Sequence, residues 1–235
     1  MSALTFLRRL LRHRSGVAMT EFALGAPFLL TAGLWGVEEA NYALVNMKVS
    51  QLAEHVADNA SRIGDTSTLQ NRRIFEGDIN DLLIGANIQA GPGVGLFAHG
   101  RVIISSLEVW DQSVHGNGSG GHSDGVQFIH WQRCLGVKEV KSGYGTQNQA
   151  LPNGIGPAGN EVMAEHDGAV IFVEINYEYQ PLVSAKFLGD LTIHSIASFV
   201  VRDSRDLSGI MQRNDADPDI AAECSVYTDA SAIGG

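Results

Sequence analysis

Ser15-Gly16-Val17-Ala18-Met19-Thr20-Glu21-Phe22 opens the stretch whose reading decides the architecture of this chain. From Val17 to Val37 there are 21 residues, and Glu21 is the only ionisable one. At 1.5 Å per helical residue such a run covers roughly 31 Å, enough for a bilayer core. A charge at that depth costs at least ~2.5 kcal/mol on insertion scales, so Glu21 needs a partner. Gly16 suggests one. Cleavage after Gly16 would give Val17 a new α-amino group and make Glu21 the fifth residue of the mature chain. A neighbouring copy's amine and this carboxylate could then neutralise each other inside the membrane. A secretory signal peptide has a shorter apolar region with its small-residue site after it; here Gly16 comes first. An ordinary single-pass anchor, with Gly16 and Glu21 incidental, is the competing reading.

Charge agrees with a span. Residues Met1–Gly16 carry Arg8, Arg9, Arg12 and Arg14 and no acid, a charge of +4. The whole chain is −10, which leaves −14 for the rest. Basic residues before the apolar run, with Glu38 and Glu39 just after it, place the N-terminus in the cytoplasm and the bulk outside it by the positive-inside rule. The acidic bulk argues against nucleic-acid binding. Two cysteines, Cys134 and Cys224, fall in the extracytoplasmic part. In an oxidising compartment they read as a disulfide closing a loop of about 90 residues; two free thiols are the alternative.

Pro27 lies within the apolar run and is an expected helix kink. Gly25, Gly33 and Gly36 offer small surfaces for close helix approach. The helical pattern continues past the span. Tyr42, Val45, Val49, Leu52, Val56 and Ile63 form one apolar stripe, with Asn46, Lys48, Glu54, Asp58 and Arg62 opposite and Gly64 as a stop. The stripe fits either a coiled coil or packing on the protein's own sheet. Ser67 and Thr68 are expected to cap a second helix running to about Ile84, buried through Ile74, Phe75, Ile79, Leu82 and Leu83, and Gly91-Pro92-Gly93 ends that region. Four β-rich runs follow, at Arg101–Trp110, Val126–Cys134, Ala169–Tyr179 and Leu191–Arg202. In the third, Ile171, Val173, Ile175, Tyr177 and Tyr179 share one face, and Glu174, Asn176 and Glu178 the other. Gly116–Gly121 is a flexible loop, Gly136–Gly168 a long Gly-rich excursion, and Pro181–Asp190 a connection. The expected fold is α+β: a long N-terminal transmembrane and amphipathic helix, a second helix and a mainly antiparallel sheet of about four strands. The divisions are a leader (1–16), the span (17–37), its amphipathic extension (38–64), an extracytoplasmic α+β domain (65–202) and an acidic tail (203–235), loosely held unless Cys224 bonds to Cys134 and ties it down.

The N-terminal motif Arg14-Ser15-Gly16-Val17-Ala18-Met19-Thr20-Glu21-Phe22-Ala23-Leu24, with Pro27 following, resembles the start of TadE-like proteins, minor pseudopilins of the tight-adherence (Flp, type IVb) pilus system. Tyr177, Pro181, Leu182 and Leu191-Thr192-Ile193, ending near Arg202, are similar to that family's C-terminal portion. The likeness is specific over the first ~60 residues and weak over the strands. It implies inner-membrane insertion with a periplasmic domain, cleavage by a prepilin peptidase, and a role in assembling or priming the pilus. By position, Gly16 precedes the cut, Val17 becomes the N-terminus, and Glu21, with Phe22 beside it, pairs subunits. Val17 stands where many type IV pilins carry Phe. The chain is longer than the small major Flp subunit and shorter than TadG-like relatives with a fused von Willebrand A domain. The implied partners are other pilins, the assembly platform and the peptidase.

Other chemistry is poorly supported by spacing. Asp111-x-Ser113-x-His115 departs from a metal-ion-dependent adhesion motif at its third position. Asp215, Asp217 and Asp219 alternate as in a calcium loop, but Ile220 and Val226 replace the required Gly and Glu. His99, His115, His122, His130 and His166 are scattered without metal-ligand spacing. Tyr177, Tyr179 and Trp131 read as core or sheet-face residues rather than a sugar platform. No phosphate-cradling loop or nucleophile–base set is visible, so no enzyme, metal, cofactor or small-molecule substrate is expected. The rival function is an uncleaved, membrane-anchored periplasmic adaptor of an envelope machine; a membrane-anchored hydrolase is a more distant third.

Overall fold

The computed structural model describes residues 15–64, 71–115, 122–183, 189, 191–202 and 204–233. The arginines of the leader, Ser67 and Thr68, the glycine loop 116–121 and most of the connection before Leu191 lie outside the described residues. The apolar run and the stripe beyond it form a single helix, α1, Ser15–Ala60, 46 residues and thus about 69 Å long. It stays continuous through Pro27, and the Thr31 hydroxyl donates to the Pro27 carbonyl at 2.7 Å.

Strand β1, Arg72–Phe75, is followed directly by helix α2, Glu76–Ala90, and a one-turn helix α3, Leu96–His99. Then come β2, Gly100–Val109; a one-turn helix α4, Gln112–His115; β3, Gln127–Leu135; β4, Ala169–Glu178; β5, Thr192–Val200; and β6, Arg205–Met211. Strands β3-β2-β4-β5 make an antiparallel sheet in that order, so the α+β expectation holds.

The second helix starts later than expected. Ile74 and Phe75 are strand residues, and the Phe75 amide donates to the Asp78 carboxylate at 3.2 Å to begin α2. Glu76 and Asp78 place negative charge on the helix N-terminus, where the dipole favours it. The helix ends at Gly91, whose φ of 73° suits a residue without Cβ.

One face of the sheet packs on α1 and α2. Val49, Leu52, Ala53, Val56 and Ala57 of α1 meet Ile79 and Leu83 of α2 and Val102, Ile104, Val173, Ile175 and Tyr177 of the sheet. The amphipathic stripe is therefore a core surface of this protein. The opposite face is covered by the excursion 136–168, with Ile155, Leu151, Val162 and Tyr144 on Leu107, Ile129, Val170 and Phe172. That cover explains why Glu174 and Asn176 are buried and not solvated. The Glu174 carboxylate accepts bonds from the Ser142 hydroxyl, the Gly143 amide and the Asn176 amide group. Gln127 fixes the excursion's far end, donating to the Ala164 carbonyl and accepting from its amide.

The residues after Asp203 are tied down, the outcome expected if Cys224 bonds to Cys134, and they also carry a strand that the sequence pattern does not mark. Strand β6 pairs in parallel with β1, joining Ile74 to Ile210 and Phe75 to Met211. Cys134 and Cys224 form a disulfide, with Cα atoms 4.7 Å apart. Buried Arg101 donates to the carbonyls of Gly136, Cys224 and Val226 and lies over the Tyr227 ring. The Cys134 amide donates to the Ala222 carbonyl and the Gly136 amide to that of Thr228, so this segment also covers the outer edge of β3. Arg133 makes a two-pronged, buried ion pair with Glu76 that ties β3 to α2.

Loss of the disulfide removes a constraint on a loop of about 90 residues. Cys134→Ser with Cys224→Ser should lower unfolding stability by about 2–5 kcal/mol in chemical denaturation of the detergent-solubilised chain. An unchanged denaturation midpoint would show that Arg101 and β6 hold the C-terminal segment unaided.

Candidate functional site

Among the described residues, the first half of α1 has nothing to pack on. Residues 16–37 are exposed or half-buried, and Phe22, Leu24, Phe28, Leu29 and Leu30 each expose about two thirds of their surface or more. A contiguous apolar surface of this extent marks a membrane or partner contact. The helix is long and apolar enough to span a membrane. Glu21 lies on this bare segment, one turn beyond Val17. A Cβ built on Gly16, Gly25, Gly33 or Gly36 would meet nothing within 4 Å, so these glycines leave open surface along the helix.

The change from bare to packed helix occurs at Glu38, which is 3% exposed. Its carboxylate accepts the Tyr179 hydroxyl at 2.5 Å, the Val183 amide at 2.7 Å and the Leu182 amide at 3.2 Å. The Tyr179 hydroxyl in turn accepts from the Asn41 amide group at 2.7 Å, and its ring meets Tyr42 edge-on. These contacts fix where α1 leaves the domain. In the sequence Glu38 stands only as an acid flanking the apolar run. The signal lay in Tyr179, Leu182 and Val183, which only the fold brings beside it. At the other end, buried Arg205 of β6 donates to the carbonyls of Ala60, Ser61 and Ile63, the acceptors a helix terminus leaves over.

The predicted residues are thus divided. Gly16, Val17, Glu21, Phe22 and Pro27 share the protruding helix, while Cys134 and Cys224 lie in the folded domain. Tyr177, Tyr179 and Trp131 are core residues. Asp111 caps α4 by accepting the Ser113 amide and hydroxyl, at 2.7 and 2.6 Å. Asp215 and Asp217 are exposed.

Among the described residues one group could hold a metal ion, and spacing did not disclose it: Glu108, His115 and His130. Glu108 sits on β2 facing Ser106, whose hydroxyl donates to Oε1 at 2.7 Å. Oε2 lies 3.3 Å from His115 Nε2 and 2.9 Å from His130 Nδ1. Burial pushes the Glu108 carboxyl up, but the bonds from His115, His130 and Ser106 outweigh it and hold it below the ordinary carboxylate range. Burial pushes His115 down, yet Glu108 and the Asp111 backbone raise it above the ordinary imidazole range.

The Glu38 contact is sensitive to pH from both sides. The Tyr179 hydroxyl and the two amides, against burial, hold the Glu38 carboxyl below its ordinary value. Folding therefore weakens proton binding, so the stabilisation is complete above that ordinary value and is lost as pH falls through the folded one. Burial and the Glu38 carboxylate push the Tyr179 hydroxyl up to about 12. Its contribution is complete below the unfolded value of about 10 and is lost as pH rises toward about 12. In hydrogen exchange on the detergent-solubilised chain, the Leu182 and Val183 amides should be protected at neutral pH and released by Glu38→Ala or by acid. Protection that survives Glu38→Ala would show that packing alone fixes the helix exit.

The chain matches no family model, no curated protein and no solved structure.

Proposed function

We propose that this chain is a minor pseudopilin of a tight-adherence type IVb pilus. In this reading it is inserted in the inner membrane, processed by a prepilin peptidase after Gly16, and used in pilus assembly. One observation carries the reading: a continuous helix whose first part is bare, apolar and interrupted by one carboxylate, Glu21, just beyond the small residue Gly16. Among the described residues nothing pairs with that carboxylate, and a second helix would supply the partner. A buried charge without a partner is destabilised by several kcal/mol, so pairing Glu21 with a neighbour's Val17 amine favours association and sets the axial register. The basic leader supports a cytoplasmic N-terminus, with the disulfide-bonded domain on the oxidising side.

N-terminal sequencing of the mature protein from a pilus-forming host tests the reading. The expected first residue is Val17, and Gly16→Leu should retain the 16-residue leader. Glu21→Ala should leave insertion and cleavage intact but reduce pilus number and co-purification with other pilins. A mature chain beginning at Met1 or Ser2 would favour the uncleaved periplasmic adaptor.

A further inference from the structure

The geometry points to a divalent transition-metal site, with zinc the preferred ion, at Glu108, His115 and His130. The three donor atoms come from β2, α4 and β3 and lie within 4.8 Å of one another. Around a tetrahedral zinc with bonds of about 2.0–2.1 Å, neighbouring donors sit about 3.3 Å apart. Glu108 Oε2 is 3.3 Å from His115 Nε2 and 2.9 Å from His130 Nδ1. Two imidazoles and one carboxylate suit zinc, whereas calcium and magnesium take oxygen ligands.

The strand geometry is arranged to bring the histidine inward. Ser106 pairs with Trp131 and Leu107 with Ile129, so His130 is an extra residue, a β-bulge in β3. A bulge re-aims a side chain, and this one turns His130 toward the face that carries Glu108. His115 is delivered by α4, which Asp111 caps, and its ring stacks on Trp110 at 5.2 Å.

The surrounding groups orient the donors as outer-shell partners of a metal do. Ser106 occupies Glu108 Oε1 and leaves Oε2 facing both rings. His115 Nδ1 lies 3.1 Å from the Asp111 carbonyl and 3.2 Å from its amide. Donation of Nδ1–H to that carbonyl leaves the Nε2 lone pair for the ion. The side chains of Glu108 and His115 are each 2% exposed, so the ion would be largely dry. His115 and His130 also line a cleft of about 340 Å³, through which water or another small ligand could take the fourth position.

Cobalt titration of the full-length chain tests this site. The protein is purified in detergent without a polyhistidine tag and stripped with chelator. One equivalent of Co²⁺ should give the intense visible absorption of a four-coordinate ion, displaced by Zn²⁺. Glu108→Gln and His130→Ala should abolish it with the fold retained by circular dichroism. Ser106→Ala, the milder change, should weaken binding about 10- to 100-fold. His122→Ala, next to the cluster through Trp110 and Phe128 but not a donor, should leave the absorption unchanged. No saturable absorption in the wild type would overturn the assignment, as would full affinity in Ser106→Ala or loss in His122→Ala.

Discussion

Helix α1 is one continuous element in two surroundings, and the rest of the molecule is organised around that fact. Its second half is core and its first half has no packing partner among the described residues. Because the helix is continuous, contacts on the buried half determine the direction of the bare half. Those contacts are polar at both ends, Glu38 at the exit and Arg205 at the terminus. Each satisfies groups that would otherwise be buried without a partner, a condition costing about 1–3 kcal/mol per group. Both draw on the last third of the sequence, so the first helix is positioned by residues far along the chain.

The sheet is enclosed by the same logic. Helices cover one face, the excursion 136–168 covers the other, and the C-terminal segment lies along the outer edge of β3. Charge is carried inside by residues whose partners are specific: Arg133 with Glu76, Arg101 with three carbonyls, Glu174 with a hydroxyl and amides. Removing one member of such a set leaves its partner buried and unanswered, so these groups select one arrangement of the loops over looser ones.

Local pattern was legible where one periodicity covered a whole element. The apolar run and the 42–56 stripe announce α1, and the alternation of Ala169–Tyr179 announces β4. The pairing of Cys134 with Cys224 was legible because no other cysteine competes. Strands β1 and β6 were not. β1 has four residues, and β6 shifts register around Gly209, whose φ is 130°, which erases the alternation a reader looks for. Glu174 and Asn176 mimic a solvated face because their cover lies in a glycine-rich segment without periodicity. The Glu108 cluster was hidden for a related reason. Its members are seven and 22 positions apart, and the bulge that turns His130 inward leaves no compositional mark.

The C-terminal strap sets an order for biogenesis. Ala222 and Ile233 are buried in the same core as Val49 and Leu52. During synthesis α1 emerges ahead of the sheet it packs on, and Ala222 and Ile233 emerge after that sheet. Until the sheet arrives, the face of α1 that becomes core is as bare as the face that does not. A chain halted before β2 would carry sticky surface on both halves of the helix, a natural ligand for chaperones and proteases. The Cys134–Cys224 bond and the buried Ala222 and Ile233 then close a core whose helix and sheet have already emerged.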